Sequence, residues 1–265
     1  MTKVALCVPI NGPPSWLFFD SMMQWQAWHC ANHPDVTVTQ VRPPRPLPVD
    51  VARNYLARKV LVMGDYDYLW FIDQDCAFLP RTLERLMSWH KPVVGCLTMI
   101  RSTECALPMA FMEANGIGKE RRVAAAEVYE YIAAHYDCET NAPQILDPVP
   151  DNSLLEVQVT GCHNLLIEPW VLYKLREPWF QGNPGQEDWY FCTKAASMDI
   201  PVYVDLSVLA GHGAGADRSI GAFDFMAGFR FQSEVEAAKE KEKHGTGSML
   251  PGIVSSDTDL HESRG

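Results

Sequence analysis

Three groups of residues in this chain have types and spacings suited to chemistry. Asp73-Gln74-Asp75 follows directly on the apolar run Tyr68-Leu69-Trp70-Phe71-Ile72, Glu187-Asp188 opens a later helical segment, and His212 stands between Gly211 and Gly213. In extended chain, side chains two positions apart point the same way, so Asp73 and Asp75 share a face and together attract a cation. An oxygen-only pair suits Mg²⁺ or Mn²⁺ carrying a diphosphate, because these hard ions take one or two protein carboxylates and fill their other positions with phosphate oxygens and water. The plainer reading makes the pair a cap for the helix that follows. Glycine on both sides of His212 lets the backbone approach a ligand closely, against the plain reading of a loop histidine. Glu187 and Asp188 at a helix start complement its dipole whatever else they do.

The elements that position these groups are legible as an alternation of strands and helices. Residues 3–10 read as a strand, and Pro13-Pro14-Ser15 break the chain before a helical segment from Trp16 to Cys30. Val36–Val41 is the second strand. After a proline-rich turn, Asp50 is a good N-cap, and Ala52, Leu56, Val60 and Met63 recur at the spacing of a core-facing helix with Arg53 and Asn54 in its first turn. Tyr68–Ile72 is apolar without alternation, as a strand buried on both faces of a parallel sheet reads, and it ends at Asp73. Ligands of open α/β sheets bind at that end of the strands. Pro80 fits the first position of another helix, Val93–Leu97 the next strand, and Met109–Met112 an edge strand. Lys119–His135 reads as a helix, 141–151 as a loop, Leu154–Thr160 and Leu165–Ile167 as strands around Gly161, Pro169–Leu175 and Glu187–Met198 as helices, and Val202–Val204 as a final core strand. From Glu234 the sequence reads as an exposed helix, with a disordered tail after Gly245. Alternation at this spacing means an α/β sheet.

With 265 residues, 47% apolar and 21% charged, the chain has enough material for a sizeable core and excludes intrinsic disorder. A net charge of −11 removes a uniformly basic surface and lowers nucleic acid as a partner, without removing a local basic groove. No apolar run reaches the length of a membrane span or a signal-peptide core, so a cytoplasmic protein is expected. The eight cysteines contain no Cys-x-x-Cys pair, which argues against a disulfide framework or zinc ribbon, and His29, Cys30 and His33 lack a second ligand pair for zinc.

Taken in order, Val-Asp-Val-Ala-Arg53-Asn54, Asp-Tyr-Leu-Trp-Phe-Ile-Asp73-Gln-Asp75 with Pro80, Thr160-Gly161-Cys162-His163-Asn164-Leu-Leu-Ile, Glu187-Asp188-Trp-Tyr-Phe-Cys, and Val204-Asp205 with Gly211-His212 resemble GT-A-fold nucleotide-sugar glycosyltransferases, in particular small soluble members similar to family 2. The resemblance runs from residue 3 to about residue 215. It implies a mixed, mainly parallel, Rossmann-like sheet flanked by helices. Residues 1–97 would be its nucleotide-sugar half and 98–231 its acceptor half, with a helical insertion at about 113–153, and 232–265 would lie outside. Pro9, Asn11, Arg53 and Asn54 would meet the donor nucleotide, with Asp73 facing ribose and metal. Asp75 and His212 would ligate Mn²⁺ or Mg²⁺. Glu187 and Asp188 would stand at the acceptor hydroxyl, Asp188 as general base of an inverting transfer and Glu187 as an acceptor contact. Cys162-His163-Asn164 departs from the pattern, because that segment is usually apolar in the family.

The donor implied is a UDP-sugar first and a GDP-sugar second. The acceptor is left open among a saccharide, a protein, a small molecule and a hydroxymethylated DNA base. A sugar-1-phosphate nucleotidyltransferase is the competing enzyme class, but its basic, glycine-rich loop is missing from Ile10–Ser15. A non-catalytic nucleotide-sugar-binding module would not need both Asp75 and Glu187-Asp188. A nuclease or phosphatase would need two more acidic groups beside Asp73 and Asp75.

Overall fold

A computed structural model of the chain describes residues 1–100, 107–113, 123–124, 126–182, 186–213 and 219–224. Among them the order is β1 (Thr2–Cys7), α1 (Trp16–Asn32), β2 (Val36–Val41), α2 (Val49–Met63), β3 (Tyr68–Ile72), β4 (Cys76–Ala77), α3 (Thr82–Ser88), β5 (Val93–Ile100), β6 (Leu107–Pro108), β7 (Ala110–Glu113) and β8 (Val123–Ala124). There follow α4 (Ala126–His135), β9 (Gln144–Ile145), β10 (Leu154–Val157), β11 (Val159–Thr160), β12 (Asn164–Ile167), α5 (Pro169–Leu175), α6 (Glu187–Ala196), β13 (Val202–Gly213) and β14 (Ser219–Ile220).

The main sheet runs β10-β13-β5-β12-β3-β1-β2. β1 pairs in parallel with β2 and β3, and β13 in parallel with β5, while β12 is antiparallel to both β3 and β5. This is the mixed, mainly parallel sheet flanked by helices expected of the GT-A class. A smaller sheet, β11-β7-β8, stands beside it.

Strand periodicity explains the two-sided core. Leu69 and Phe71 of β3, with Ala5 and Cys7 of β1, face one hydrophobic layer, covered by Leu56 and Val60 of α2 and by Leu172 and Phe191 of α5 and α6. The intervening Trp70, Ile72, Val4 and Leu6 face a second layer with Phe18 and Trp25 of α1 and Leu83 and Leu86 of α3. Fully burying such side chains stabilises by about 1.5–3 kcal/mol each, which is why these strands carry continuous apolar runs. Ser15 caps α1 as its Oγ accepts from the Phe18 N–H at 3.1 Å, and Phe18, Ser21, Trp25 and His29 form its buried stripe.

The structure differs from the sequence expectations at several element ends. Asp50 lies inside the first turn of α2, whose N-cap is Pro48. Pro80 precedes α3, which is capped by Arg81. Val123–Ala124 is a short strand rather than helix, so α4 starts at Ala126, and residues 119–122 lie outside the described residues. The 141–151 loop contains β9, and the strand expected over Leu154–Thr160 divides into β10 and β11, which join different sheets. The final strand continues to Gly213, because buried Asp205 is satisfied locally. Its Oδ1 accepts from Ser207 N at 2.8 Å and Ser207 Oγ at 2.6 Å, and its Oδ2 from Trp89 Nε1 at 2.7 Å, at the bulge where β13 shifts register against β5. The expected exposed helix and tail beyond Glu234 lie outside the described residues, which all fall within one unit, Met1–Phe229. No helix among the described residues is long and apolar enough to cross a membrane.

Candidate active site

A cleft of about 490 Å³ opens at the carboxyl ends of β1 and β3. Its walls bring together Pro9, Asn11, Arg53, Asp73, Asp75, Glu187, Asp188 and His212, distant in sequence, with Gln74 and His163 among the other lining residues. Asn54 does not line it. The Asn54 amide instead accepts from the Trp179 N–H at 2.9 Å and donates to the Asp50 carbonyl at 2.9 Å, tying the start of α2 to the chain ahead of α6. Expected at the nucleotide, Asn54 has its amide engaged in these contacts between segments.

Gln74 fastens the loop after β1. Its Nε2 donates to Asn11 Oδ1 at 2.6 Å, its Oε1 accepts from the Asn11 N–H at 3.2 Å, and its carbonyl accepts from Ser15 N at 2.9 Å. The Asp-Gln-Asp turn therefore orders the loop that carries Pro9 and Asn11, a role for the middle residue that spacing arguments about the two carboxylates overlook.

Arg53, expected at the nucleotide, lines the cleft but is almost wholly enclosed. It is 1% exposed. Its Nη2 stands 2.9 Å from Asp73 Oδ1 and 3.1 Å from Asp73 Oδ2, and its Nη1 donates to the Cys162 carbonyl at 3.3 Å. The same Nη2 is 3.9 Å from Glu187 Oε1 and 4.0 Å from Asp188 Oδ1. Burial pulls the guanidinium toward its neutral form, but the Asp73 carboxylate, with Asp188 and Glu187 behind it, more than reverses this, so Arg53 stays charged. Helical geometry alone separates Glu187 from Asp188 by about 100°, yet both are buried and both reach the same guanidinium nitrogen.

Asp188 sits in the first turn of α6. Burial pushes its pKa up, while Arg53 and hydrogen bonds from the Cys162 thiol and backbone N–H act in the other direction. A carboxylate with a raised pKa is better matched to taking a proton near neutral pH than an exposed one. Trp189 turns away from the cleft and stacks on Phe111, with ring centroids 5.6 Å apart.

On the opposite wall, β13 passes close to Asp75. The Gly213 N–H donates to the Asp75 carbonyl at 2.8 Å, and a Cβ at Gly213 would lie 2.9 Å from that oxygen, so this approach requires glycine. It brings His212 Nε2 to 3.6 Å from Asp75 Oδ2. His212 is on a strand and 9% exposed, not in a loop, and its Nδ1 faces the Met99 carbonyl at 3.0 Å. That contact makes Nδ1 the protonated nitrogen and leaves the Nε2 lone pair toward the cleft, as a metal-ligating imidazole requires. A carboxylate and such an imidazole fit Mn²⁺ or Mg²⁺ as part of an open site. Among the described residues, no three His, Cys, Asp or Glu side chains are already arranged around a single ion position.

Sequence reasoning recognised His163 only as a polar departure. Antiparallel pairing of β12 with β3 sets Asn164 opposite Ile72, so the residue before Asn164 falls beside the one after Ile72, and the Asp73 N–H donates to the His163 carbonyl at 2.9 Å. The signal was the register of the return strand. Burial, with His212 adding to it, pushes the His163 pKa down to about 4, so the ring is neutral at pH 7.

No family model matches the chain, and no curated protein matches it. Among solved structures it is similar to the crystal structure of A197 from STIV, at 17% identity and a TM-score of 0.51, over 84% of this chain and 92% of that one. It also aligns with the crystal structure of GalNAc-T7 with UDP, GalNAc and Mn²⁺, at 13% identity and a TM-score of 0.46, over 82% of this chain and 44% of that one. The first likeness is one of fold.

Proposed function

We propose that this chain is a metal-dependent glycosyltransferase that moves a sugar from a nucleoside-diphosphate sugar, a UDP-sugar before a GDP-sugar, to a hydroxyl acceptor with inversion. The observation that supports this reading above others is a single cleft holding, on one wall, the Asp73-Gln74-Asp75 turn with His212 against it and, on the other, the buried Asp188 at the start of α6. The family-2 likeness rests on the order of the motifs.

In this reading, Pro9 and Asn11, held by Gln74, flank the nucleotide. Asp75 and His212, with Asp73 beside them, would hold the divalent ion, which when bound supplies positive charge to the leaving diphosphate. Asp188 takes the proton of the acceptor hydroxyl as its oxygen forms a bond to the anomeric carbon. The bond from that carbon to the diphosphate oxygen breaks on the opposite face, and the diphosphate keeps the electron pair. A hydroxyl is a poor nucleophile at neutral pH, so a positioned carboxylate contributes about 10²–10⁴-fold. Glu187 lies nearby as an acceptor contact. Arg53 ties Asp73, Glu187 and Asp188 into one cluster at the cleft wall.

Nucleotide binding tests the donor half of this proposal. UDP or GDP with Mn²⁺ should raise the melting temperature, and Asp75→Ala should abolish the metal-dependent part. Equal shifts in wild type and Asp75→Ala, with and without chelator, would overturn it.

A further inference from the structure

His163 is unaccounted for by the roles assigned above, yet it lines the cleft. Its Nε2 is 3.2 Å from His212 Nε2, with the two rings edge to face and their centroids 4.1 Å apart. The same Nε2 lies 4.0 Å from Asp73 Oδ2, and His212 Nε2 lies 3.6 Å from Asp75 Oδ2. Its Nδ1 is buried without a hydrogen-bond partner among the described residues, so the polar contacts of the ring run through Nε2. A Cβ at Gly161 would come within 2.7 Å of that Nδ1, so glycine there is what allows the ring to lie in this position.

Two Nε2 atoms facing each other at hydrogen-bond distance need something between them. Because His212 Nδ1 is committed to the Met99 carbonyl, His212 Nε2 offers a lone pair. A shared proton from His163 is one solution. A shared cation is the other, with Asp73 Oδ2 at 4.0 Å from the one nitrogen and Asp75 Oδ2 at 3.6 Å from the other. Ligands about 2.1 Å from one ion and roughly 90–110° apart lie roughly 3.0–3.4 Å from each other, which is the separation these nitrogens have.

Resting on the reading of Asp75 and His212 as metal ligands, we propose that His163 is a further protein ligand, so that the ion is held by two imidazoles and the Asp73-Gln74-Asp75 turn. Asp75, whose side chain is 35% exposed, would reach the ion by a turn of its carboxylate. Nitrogen-rich ligation shifts preference from Mg²⁺, which favours an all-oxygen shell, toward Mn²⁺ and other transition metals.

Pulsed electron paramagnetic resonance of Mn²⁺ bound to the full chain, first alone and then with UDP, counts the coordinated imidazole nitrogens directly. Two should be seen in wild type and one in each of His163→Gln and His212→Gln, with Mn²⁺ affinity at least about tenfold weaker in His163→Gln. The wild-type count needs no variant, so a poorly folded variant does not decide the matter. A single imidazole in wild type, lost in His212→Gln and kept in His163→Gln, would overturn the ligand role of His163 while leaving the glycosyltransferase reading intact. Failure to bind Mn²⁺ with or without UDP or GDP would remove the metal from that reading and this inference with it.

Discussion

Arg53 Nη2 lies 2.9 Å from Asp73 Oδ1 inside the protein, so the carboxylate that follows β3 is held by a cation rising from the second turn of α2. The same nitrogen stands within 4.0 Å of Glu187 and Asp188, and one guanidinium therefore spans both walls of the cleft. Removing one partner of a buried pair leaves uncompensated charge, which typically costs about 3–5 kcal/mol. Arg53→Ala should lose stability on that scale in urea denaturation. Arg53→Lys keeps the charge but loses the two-pronged contact to Asp73 and Cys162, and should fall between the two. A wild-type urea midpoint in Arg53→Ala would show that the cluster does not depend on this residue.

Asp188→Asn keeps the shape of the side chain and, on the proposed reading, removes the base. Nucleotide binding should be unchanged, while transfer should fall by about 10²–10⁴-fold. Because burial raises the Asp188 pKa, the acid limb of kcat/KM should lie above 3.8, with activity rising as pH rises and the carboxylate ionises. Retention of the donor's anomeric configuration in the product, seen by NMR, would make Asp188 an orienting group rather than the base.

Gly213→Ala tests whether the approach of β13 to Asp75 matters. The new Cβ would sit 2.9 Å from the Asp75 carbonyl oxygen and 3.0 Å from its Cβ, so backbone must move. Overpacking of this kind typically costs about 1–3 kcal/mol. A lower melting temperature should come with a larger proportional loss of Mn²⁺-dependent nucleotide binding, measured by calorimetry. Normal binding in this variant would separate the position of His212 from the metal.

His163 adds a pH dependence to stability. Its pKa falls from 6.5 to about 4 on folding, so the folded state binds fewer protons in that range. The stabilisation is present above pH 6.5 and is lost as pH falls through about 4. At about 1.4 kcal/mol per pKa unit the shift corresponds to roughly 3 kcal/mol. Melting temperature should drop across this window in wild type and less steeply in His163→Gln. Parallel curves would show that the ring titrates normally.

Much of the framework was legible because it follows from short-range pattern. Tyr68–Ile72 reads as a doubly buried strand from its composition, and the Asp-Gln-Asp turn at its end follows. The burial of Arg53 was not legible, since its partners Asp73 and Cys162 are distant in sequence and the helix pattern alone leaves the residue near a surface. His163 depends on the antiparallel register of β12 against β3, which local periodicity does not contain. The length of β13 was hidden by Asp205 and Ser207, polar residues that break the apolar run yet satisfy each other inside the sheet.

Transfer of a sugar from a nucleotide donor is tested most directly by nucleoside diphosphate release when the purified chain is incubated with a panel of nucleotide sugars, Mn²⁺ and pooled hydroxyl acceptors. Release is expected from one donor, UDP-sugars first, and should stop with chelator and in Asp75→Ala and drop by about 10²–10⁴-fold in Asp188→Asn. Release of pyrophosphate instead from a nucleoside triphosphate and a sugar-1-phosphate, or tight donor binding with no turnover by wild type across the panel, would contradict it.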